Sequence, residues 1–183
     1  MMFVLLMAFL AAQRLLELVL AERNRRWAIE QGGKESGRRH YPLIVGMHVC
    51  FYLSLVLEHA YVSPGWNSLW PLWLGIFLMA QALRVWAIVS LGRRWNTRII
   101  VIPGLKPVAR GPYRYIRHPN YAAIAVELIA IPMMCGAYRT AALFSALNAL
   151  LLRIRIREEE KALERAAGAD LGRIPRFLPS LRG

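Results

Sequence analysis

Five long apolar stretches, separated by short polar segments, constrain the fold of this 183-residue chain more than any other feature of its sequence. A helix of about 20 residues crosses a hydrocarbon core about 30 Å thick, and each stretch reaches or nearly reaches that length. Because strands would leave backbone groups unpaired in lipid, we predict that the stretches form helices. They occupy residues 2–21, 42–62, 69–90, 119–137 and 139–157. The predicted fold class is therefore an all-α integral membrane bundle of about five transmembrane helices, which forms a single domain over residues 1–183.

Within that domain the two halves differ in composition. Residues 1–90 contain three of the predicted transmembrane helices, whereas residues 91–183 contain a basic loop, a helix hairpin and a charged C-terminal helix. Residues 136–139 alone separate the fourth stretch from the fifth, which predicts a tight antiparallel hairpin. Cys50 and Cys135 both lie in apolar stretches, so we interpret them as buried small hydrophobic residues rather than as a disulfide or metal pair. The N-terminus has no basic n-region and no small-residue cleavage site, so we expect no removable signal peptide.

The positive charges of the chain predict its orientation in the membrane. There are 24 lysine and arginine residues against 11 acidic residues, which gives a net charge of +13. The cations are concentrated in the loop after the first apolar stretch, in the loop after the third stretch and in the C-terminal region. The positive-inside rule therefore predicts that these regions lie in the cytoplasm and that the N-terminus lies outside. Because the cations flank membrane segments and no nucleic-acid-binding motif is present, we expect no nucleic acid among the partners.

Six long polar or charged side chains lie inside the first, third and fourth apolar stretches. They are Gln13, Arg14, Glu17, Gln81, Arg84 and Glu127. A charged residue at the centre of a transmembrane helix costs roughly 2.5–3.5 kcal/mol on insertion scales, so each needs a physical explanation. Arg14 and Glu17 lie three residues apart and are predicted to pair on one helical face. Two explanations stay open for the set: the side chains snorkel toward the cytoplasm, or they line a polar cavity that opens to the cytoplasm.

The segment GPYRYIRHPNY, residues 111–121, joins the basic loop at residues 91–118 to the fourth apolar stretch. Pro119 suits the first turn of that helix, where its missing N–H group costs nothing. His118 then lies beside the unpaired N–H groups and the positive end of the helix dipole, a place that attracts a carboxylate or a phosphate. The segment also contains three tyrosines: Tyr113, Tyr115 and Tyr121. A plain helix start with a belt of interfacial tyrosines explains the same residues, so this segment alone leaves both interpretations open.

The segment RIREEEKAL, residues 155–163, ends the fifth apolar stretch and continues as a charged helix. Arg155 and Glu159 lie four residues apart, so both point from one helical face. A surface salt bridge, worth under about 1 kcal/mol, is one explanation of this pair. The other explanation is a binding site for an organic cation, because three successive glutamates stand amid a basic C-terminal region.

These two segments, separated by one helix hairpin, resemble the motifs of the isoprenylcysteine carboxyl methyltransferase family of integral membrane enzymes. The family carries Arg-His-Pro-x-Tyr before the hairpin, matched here at residues 117–121, and Arg-Ile-x-x-Glu-Glu-x-x-Leu after it, matched at residues 155–163. Two more segments look like a bacterial branch associated with type III polyketide synthases: RLLELVLAERNRRWAIEQGGKESGRRHYPLIVGMH, residues 14–48, and LGRRWNTRIIVIPG, residues 91–104. Members of that branch methylate alkylpyrones or alkylresorcinol-type phenolic lipids.

The resemblance implies that S-adenosylmethionine binds in a cytoplasm-facing pocket. The chain has no glycine-rich Rossmann fingerprint, so the loop and the helices of the two motifs would hold this cofactor. Cofactor contacts are implied for seven residues: Val108, Tyr113, His118, Pro119, Asn120, Tyr121 and Glu159. The resemblance further implies that Arg155 binds the acceptor near its reacting oxygen. Arg155 and Glu159 are the implied catalytic residues, and no metal is expected.

The implied function is O-methylation of a lipophilic acceptor at the cytoplasmic side of a bacterial inner membrane. The acceptor is an alkylpyrone, a phenolic lipid or an isoprenylcysteine carboxylate. A carboxylate or an acidic enol is ionised at neutral pH and needs no strong base, whereas a neutral phenol benefits from one, with Glu159 and His118 as candidates. Three alternatives stay open at this point: a phospholipid N-methyltransferase, an NADPH-dependent sterol-type reductase and a non-catalytic membrane protein that binds lipid.

Overall fold

A computed structural model describes residues 1–62, 65–167 and 175–177 of the chain. Within these ranges, five long helices follow one another: α1 Met2–Glu30, α2 Tyr41–Tyr61, α3 Trp70–Leu91, α4 Pro119–Met134 and α5 Tyr138–Ala167. The loop between α3 and α4 contains two short 3₁₀ turns, Gly92–Arg94 and Gly111–Arg114. Two strands of three residues each complete the described elements: β1 Lys34–Ser36 and β2 Ile99–Val101. The predicted all-α class is confirmed, and each of the five apolar stretches forms one helix.

Three helices of the described chain are long and apolar enough to cross a membrane: α1, α2 and α3, the last together with the turn that follows it. Their outward faces carry exposed leucine, valine and methionine side chains, which suit contact with lipid tails. α4 is apolar but has 16 residues, about 24 Å of helix, and is shorter than the predicted span at residues 119–137. α5 is one helix of 30 residues whose second half carries the charged segment. Membrane crossing by α4 and α5 therefore stays a prediction.

α4 lies in the middle of the bundle, packed against α3 and α5. An apolar core joins it to the longer helices and includes Leu10, Phe51, Phe77, Ile131 and Phe144. Full burial of a side chain of this size stabilises the fold by roughly 1.5–3 kcal/mol. Because neighbouring helices enclose α4, it does not need the length of a helix that faces lipid.

The connection between α4 and α5 has the tight form that the sequence predicts, with residues 135–137 between the two helices. Gly136 takes a φ of 74° in this turn, a left-handed conformation that glycine adopts without steric strain. The buried carboxylate of Glu58 on α2 accepts hydrogen bonds from the backbone N–H groups of Arg139, at 2.9 Å, and Thr140, at 2.7 Å. A carboxylate at this position also opposes the positive end of the helix dipole, so α2 stabilises the start of α5.

The four charged residues inside the first, third and fourth apolar stretches form one largely buried cluster between α1, α3 and α4. Arg84 donates hydrogen bonds to Glu127 and, at 3.1 Å, to Glu17. Arg14 donates to Glu17 at 2.6 Å, which is the predicted pair, and to Glu127 at 2.9 Å. Two amides bond each other reciprocally beside the cluster: Gln13 and Gln81. The charged side chains therefore pair with one another instead of snorkelling. Three of them, Arg14, Glu17 and Arg84, line a cavity, but the surface of that cavity is largely apolar.

The two strands pair antiparallel, with Lys34 opposite Val101 and Ser36 opposite Ile99. This small sheet is not predicted by the apolar pattern, because each strand has only three residues and lies in a charged loop. It ties the loop after α1 to the loop after α3. The second of these loops is thereby held over the ends of the helices.

The two cysteines have different surroundings. Cys135 is buried and unpaired, as predicted. Cys50 is exposed, so the prediction that both cysteines are buried is wrong for this residue. The reason is its position on α2: it lies next to exposed Val49 and Leu53, on the face that points away from the bundle.

Candidate active site

Two cavities of similar size lie at the loop end of the bundle. The first, of about 540 Å³, is bounded by the loop between α3 and α4, the first turn of α4 and the charged part of α5. The second, of about 510 Å³, lies among α1, α2, α4 and α5 and extends from that loop into the apolar part of the bundle. Sites for small molecules commonly measure about 300–1,000 Å³. We call these two spaces the loop cavity and the membrane cavity.

The loop cavity and the membrane cavity share one wall. Five residues line both cavities: Trp95, Asn96, Asn120, Tyr121 and Arg155. Two buried polar atoms of this wall, Nε1 of Trp95 and Oδ1 of Asn120, have no hydrogen-bond partner among the described residues. Buried polar atoms are ordinarily paired, so an unpaired donor and an unpaired acceptor at one junction suit the binding of a further molecule.

Tyr121 connects the two residues that are predicted to be catalytic. Its hydroxyl donates a hydrogen bond to the carboxylate of Glu159 and accepts one from Nε of Arg155 at 2.7 Å. Arg155 is 8% exposed, and one of its terminal nitrogens donates to the carbonyl oxygen of Thr97 at 2.6 Å. Its other terminal nitrogen has no hydrogen-bond partner within the described residues. The surface salt bridge considered for this pair is therefore absent from the described chain, and a buried series of hydrogen bonds takes its place.

His118 lies against Tyr121, with the two rings stacked and their centroids 5.3 Å apart. Its Nε2 donates to the carboxylate of Glu160 at 3.2 Å, and the same carboxylate accepts from Arg117 at 2.8 Å and from Arg176 at 2.5 Å. Burial by itself would raise the pKa of the Glu160 carboxyl. Hydrogen bonds from Arg176 and His118, together with the two guanidinium charges, outweigh burial and hold this pKa below its ordinary value.

The described C-terminal residues 175–177 attach at the same point. The backbone N–H of Arg117 donates to the carbonyl of Pro175 at 2.9 Å, and that of His118 donates to the carbonyl of Arg176 at 3.2 Å. These two N–H groups immediately precede α4. They are therefore bonded to the chain itself and are not available to a ligand at this helix start.

The remaining predicted cofactor contacts differ in their relation to the cavities. Val108 and Tyr113 line the loop cavity, and so does Glu159, whose hydrogen bond in the described chain is the one from Tyr121. Burial of the Tyr113 side chain and, to a smaller extent, the negative charge of Glu159 raise the pKa of Tyr113 above its ordinary value, so its hydroxyl stays neutral. Pro119 stands in the first turn of α4, as predicted, but lines neither cavity. Its position supports a role in starting the helix.

Three residues of this region have no role predicted from the sequence, and all three precede β2: Trp95, Asn96 and Thr97. Asn96 is held in place because its amide donates to the carbonyl of Ala21 at 3.0 Å and accepts from the backbone N–H of Arg98 at 2.9 Å. All three belong to the segment LGRRWNTRIIVIPG, which carries part of the family resemblance. The sequence does contain a feature that points to them. Membrane topology explains the cations of this loop, but it does not explain the aromatic and amide side chains that stand among those cations.

The fold and the site define a helical membrane protein in which a polar cavity among loops joins an apolar cavity among helices. Residues 73–165 match the sequence model of the isoprenylcysteine carboxyl methyltransferase (ICMT) family. The chain belongs to this family, and its general activity is that of a membrane methyltransferase. Methyltransferases of the family generally use S-adenosylmethionine.

Two relatives are similar to the chain over most of its length. The uncharacterized protein YpbQ of Bacillus subtilis is 44% identical over 163 residues, which cover 89% of this chain and 97% of that protein. An uncharacterized protein of Haemophilus influenzae is 30% identical over 157 residues, which cover 85% of this chain and 91% of that protein. Because the family match begins at residue 73, these relatives extend the similarity into the N-terminal helices. Neither name states an acceptor.

Proposed function

We propose that the chain transfers a methyl group from S-adenosylmethionine to an oxygen atom of a lipophilic acceptor, where the loop cavity meets the membrane cavity. The observation that carries this proposal is the wall that both cavities share, because two reactants need binding sites that meet. An alkylpyrone or a phenolic lipid is the favoured acceptor, as in the bacterial branch that residues 14–48 and 91–104 resemble. An isoprenylcysteine carboxylate is the alternative.

The loop cavity fits S-adenosylmethionine in size and offers a carboxylate for one of its positively charged groups. Its volume of about 540 Å³ lies within the range of small-molecule sites. Glu159 is half-buried, and no lysine or arginine pairs with it in the described chain, so its carboxylate is available to a positively charged group. Val108, Tyr113 and Asn120 supply neutral surface beside it. S-adenosylmethionine supplies, when bound, a methyl group that is already activated on a sulfonium.

The membrane cavity fits the hydrocarbon part of a lipid acceptor. Its lining surface is mainly apolar and includes leucine, isoleucine and valine side chains of α1, α2 and α5. Each methylene of a lipid buried there contributes roughly 0.8 kcal/mol. Arg155 stands at its loop end, where one terminal nitrogen has no partner among the described residues and can meet the acceptor oxygen. The planar guanidinium is held by Tyr121 and Thr97, so it orients this oxygen with little loss of freedom on binding.

The need for a base depends on the acceptor, since an acidic enol or a carboxylate arrives ionised and a neutral phenol does not. Of the two candidates, the geometry favours Glu159, because Glu160 already binds the ring of His118. Trp95 and Arg155 at the junction are largely shielded from solvent, with exposed fractions of 3% and 8%. Exclusion of water strengthens the interaction of the arginine with an oxyanion.

Methyl transfer to defined lipids tests the proposal. The purified full chain in lipid nanodiscs is incubated with methyl-labelled S-adenosylmethionine and with an alkylresorcinol, an alkylpyrone or phosphatidylethanolamine. We expect label on the alkylresorcinol or the alkylpyrone. Arg155→Ala and Arg155→Lys should each lower turnover about 100-fold, equivalent to about 2.7 kcal/mol, with donor affinity changed by less than about twofold. Arg153→Ala is the matched control, because Arg153 is an exposed arginine of the same helix that lines neither cavity.

Three outcomes would contradict the proposal in different ways. Label on phosphatidylethanolamine alone would identify a phospholipid N-methyltransferase. Wild-type turnover in Arg155→Ala would remove the role of that arginine and leave the reaction standing. Saturable binding of NADPH without binding of S-adenosylmethionine would overturn the cofactor.

A further inference from the structure

Three polar side chains stand in the wall of the membrane cavity among apolar neighbours: His48 and Tyr52 on α2 and Asn148 on α5. His48 donates from Nδ1 to the carbonyl of Ile44 at 2.8 Å, so we assign the lone pair of the neutral ring to Nε2, which has no partner in the described part of the chain. Asn148 is 4% exposed, and neither end of its amide is hydrogen-bonded within that part. Tyr52 accepts a hydrogen bond from Arg14 at 3.2 Å, but its own proton has no acceptor there.

Unused hydrogen-bonding groups at this depth are costly, because a hydrocarbon core offers no water to bond them. A buried polar group left without a partner costs roughly 1–3 kcal/mol. The ionic residues nearby do not share this feature, since Arg14, Glu17, Arg84 and Glu127 pair with one another. At this depth of the cavity wall, the free hydrogen-bonding capacity among the described residues therefore belongs to neutral groups, which offer both donors and acceptors.

His48 and Asn148 lie close to one level of the bundle, and Tyr52 lies about one turn of α2 further from the loops. The hydroxyls of Ser54 on α2 and Thr140 on α5 are hydrogen-bonded at 2.8 Å, which sets how the two antiparallel helices stand beside each other. His48 precedes Ser54 by six residues on α2, and Asn148 follows Thr140 by eight residues on α5. Because the two helices run in opposite directions, His48 lies within about two residues of the level of Asn148. Asn148 precedes the arginine proposed to bind the acceptor oxygen by seven residues on α5, which corresponds to about 10 Å of helix. The polar groups thus lie well inside the region assigned to the lipid tail.

We propose that His48, Tyr52 and Asn148 form a second polar subsite of the membrane cavity, which binds a neutral hydroxyl group on the chain of the lipid acceptor, about 10 Å from the methylated oxygen. This inference rests on the proposed function, because it concerns the same acceptor. A hydroxyl group fits because it donates to Nε2 of His48 and accepts from the amide of Asn148 or the hydroxyl of Tyr52. A charged group does not fit, because the neighbouring ionic cluster already balances its own charges. The subsite therefore selects a lipid whose chain is oxygenated close to its head group.

Binding measured without the methyl donor tests this subsite. The probes are para-dodecylphenol and an analogue that carries a hydroxyl group on its chain about 10 Å from the phenolic oxygen. Their dissociation constants are measured by calorimetric titration of the purified full chain in lipid nanodiscs. We expect the wild-type chain to bind the hydroxylated probe about tenfold more tightly, equivalent to about 1.4 kcal/mol. In His48→Leu and in Asn148→Leu the preference should fall below about twofold, while plain dodecylphenol still binds.

His59→Leu is the matched control. His59 is the other histidine of α2; its Nδ1 bonds the carbonyl of Cys135 at 3.2 Å, and it lines neither cavity. This variant should keep the tenfold preference. Each preference is the ratio of the dissociation constants of the two probes for one variant. A general loss of stability affects both constants, so it does not produce the expected change in the ratio.

The outcomes separate the subsite from the proposed function. Equal binding of both probes by the wild-type chain, or a preference that persists in both His48→Leu and Asn148→Leu, would overturn the subsite and leave the methyl transfer standing. Binding of neither probe would overturn the phenolic acceptor class and the subsite together.

Discussion

Arg155 reaches Glu159, one turn further along α5, through the hydroxyl of Tyr121 on α4. The hydroxyl accepts from the arginine at 2.7 Å and donates to the carboxylate, so it cross-links α4 and α5 at the junction of the two cavities. The side chain proposed to bind the acceptor is thereby held at a fixed distance from the side chain proposed to bind the cofactor. Methyl transfer needs its reacting atoms in line, so loss of this bridge should impair turnover before it impairs binding.

Tyr121→Phe removes both hydrogen bonds of the bridge and keeps the ring that stacks on His118. We expect turnover to fall about 10- to 100-fold, or roughly 1.4–2.7 kcal/mol, while the dissociation constant of S-adenosylmethionine changes less. The measurements are labelled methyl transfer and calorimetric titration. Tyr115→Phe, which alters an exposed tyrosine of the same motif, is the control and should behave as wild type. Equal losses in the two variants would show that the bridge has no special role.

Binding of S-adenosylmethionine should depend on the carboxylate of Glu159. Glu159→Gln preserves the shape of the side chain and removes its charge, so we expect affinity to fall about tenfold or more. Glu158→Gln changes the neighbouring acid, which lines neither cavity, and should leave affinity unchanged. His118→Ala should also weaken binding, because its ring lines the loop cavity and packs on Tyr121. Unchanged affinity in both Glu159→Gln and His118→Ala would show that the cofactor binds elsewhere.

Stability at acidic pH should depend on Glu160, whose pKa is lowered in the folded chain. A carboxyl group of this kind stabilises the fold above its unfolded pKa, about 4.3, and that contribution is lost as pH falls through the folded pKa. Glu160→Gln should therefore lower the unfolding temperature at about pH 7 and flatten its decline below about pH 5. Thermal unfolding in detergent between these pH values measures the effect, with exposed Glu164→Gln as the control. Parallel curves for wild type and Glu160→Gln would contradict the prediction.

The orientation of the chain can be tested with reporter fusions at residue 183 and in the loop at residues 63–68. Residues 63, 64 and 183 lie outside the described residues, so this prediction rests on the distribution of cations. We expect a cytoplasmic signal from the fusion at residue 183 and a signal from the other side of the membrane for the loop. Signals from the same side would contradict both the orientation and the count of five spans.

The sequence by itself determined the fold class and the positions of the helices. The length of an apolar stretch can be read from consecutive residues. A stretch that lies in lipid must form its backbone hydrogen bonds within itself, so the pattern alone predicted helices. The start of α4 at Pro119 and the tight turn at Gly136 were predictable for the same reason, because each depends on the backbone of a few adjacent residues. The two motifs around the hairpin likewise contain nine of the residues that line the loop cavity, whereas most of the others lie in the loop between α3 and α4.

Only the tertiary structure decided which distant residues meet. Arg14 pairs with Glu127 across a separation of 113 residues, the strands join two loops that show no β pattern, and Trp95 enters the wall shared by the two cavities. Tyr121 had an implied contact with the cofactor, but its bridge between Arg155 and Glu159 was not predictable. Such contacts arise from the packing of whole helices against one another, and the periodicity within one segment carries no information about the partner that lies across the bundle.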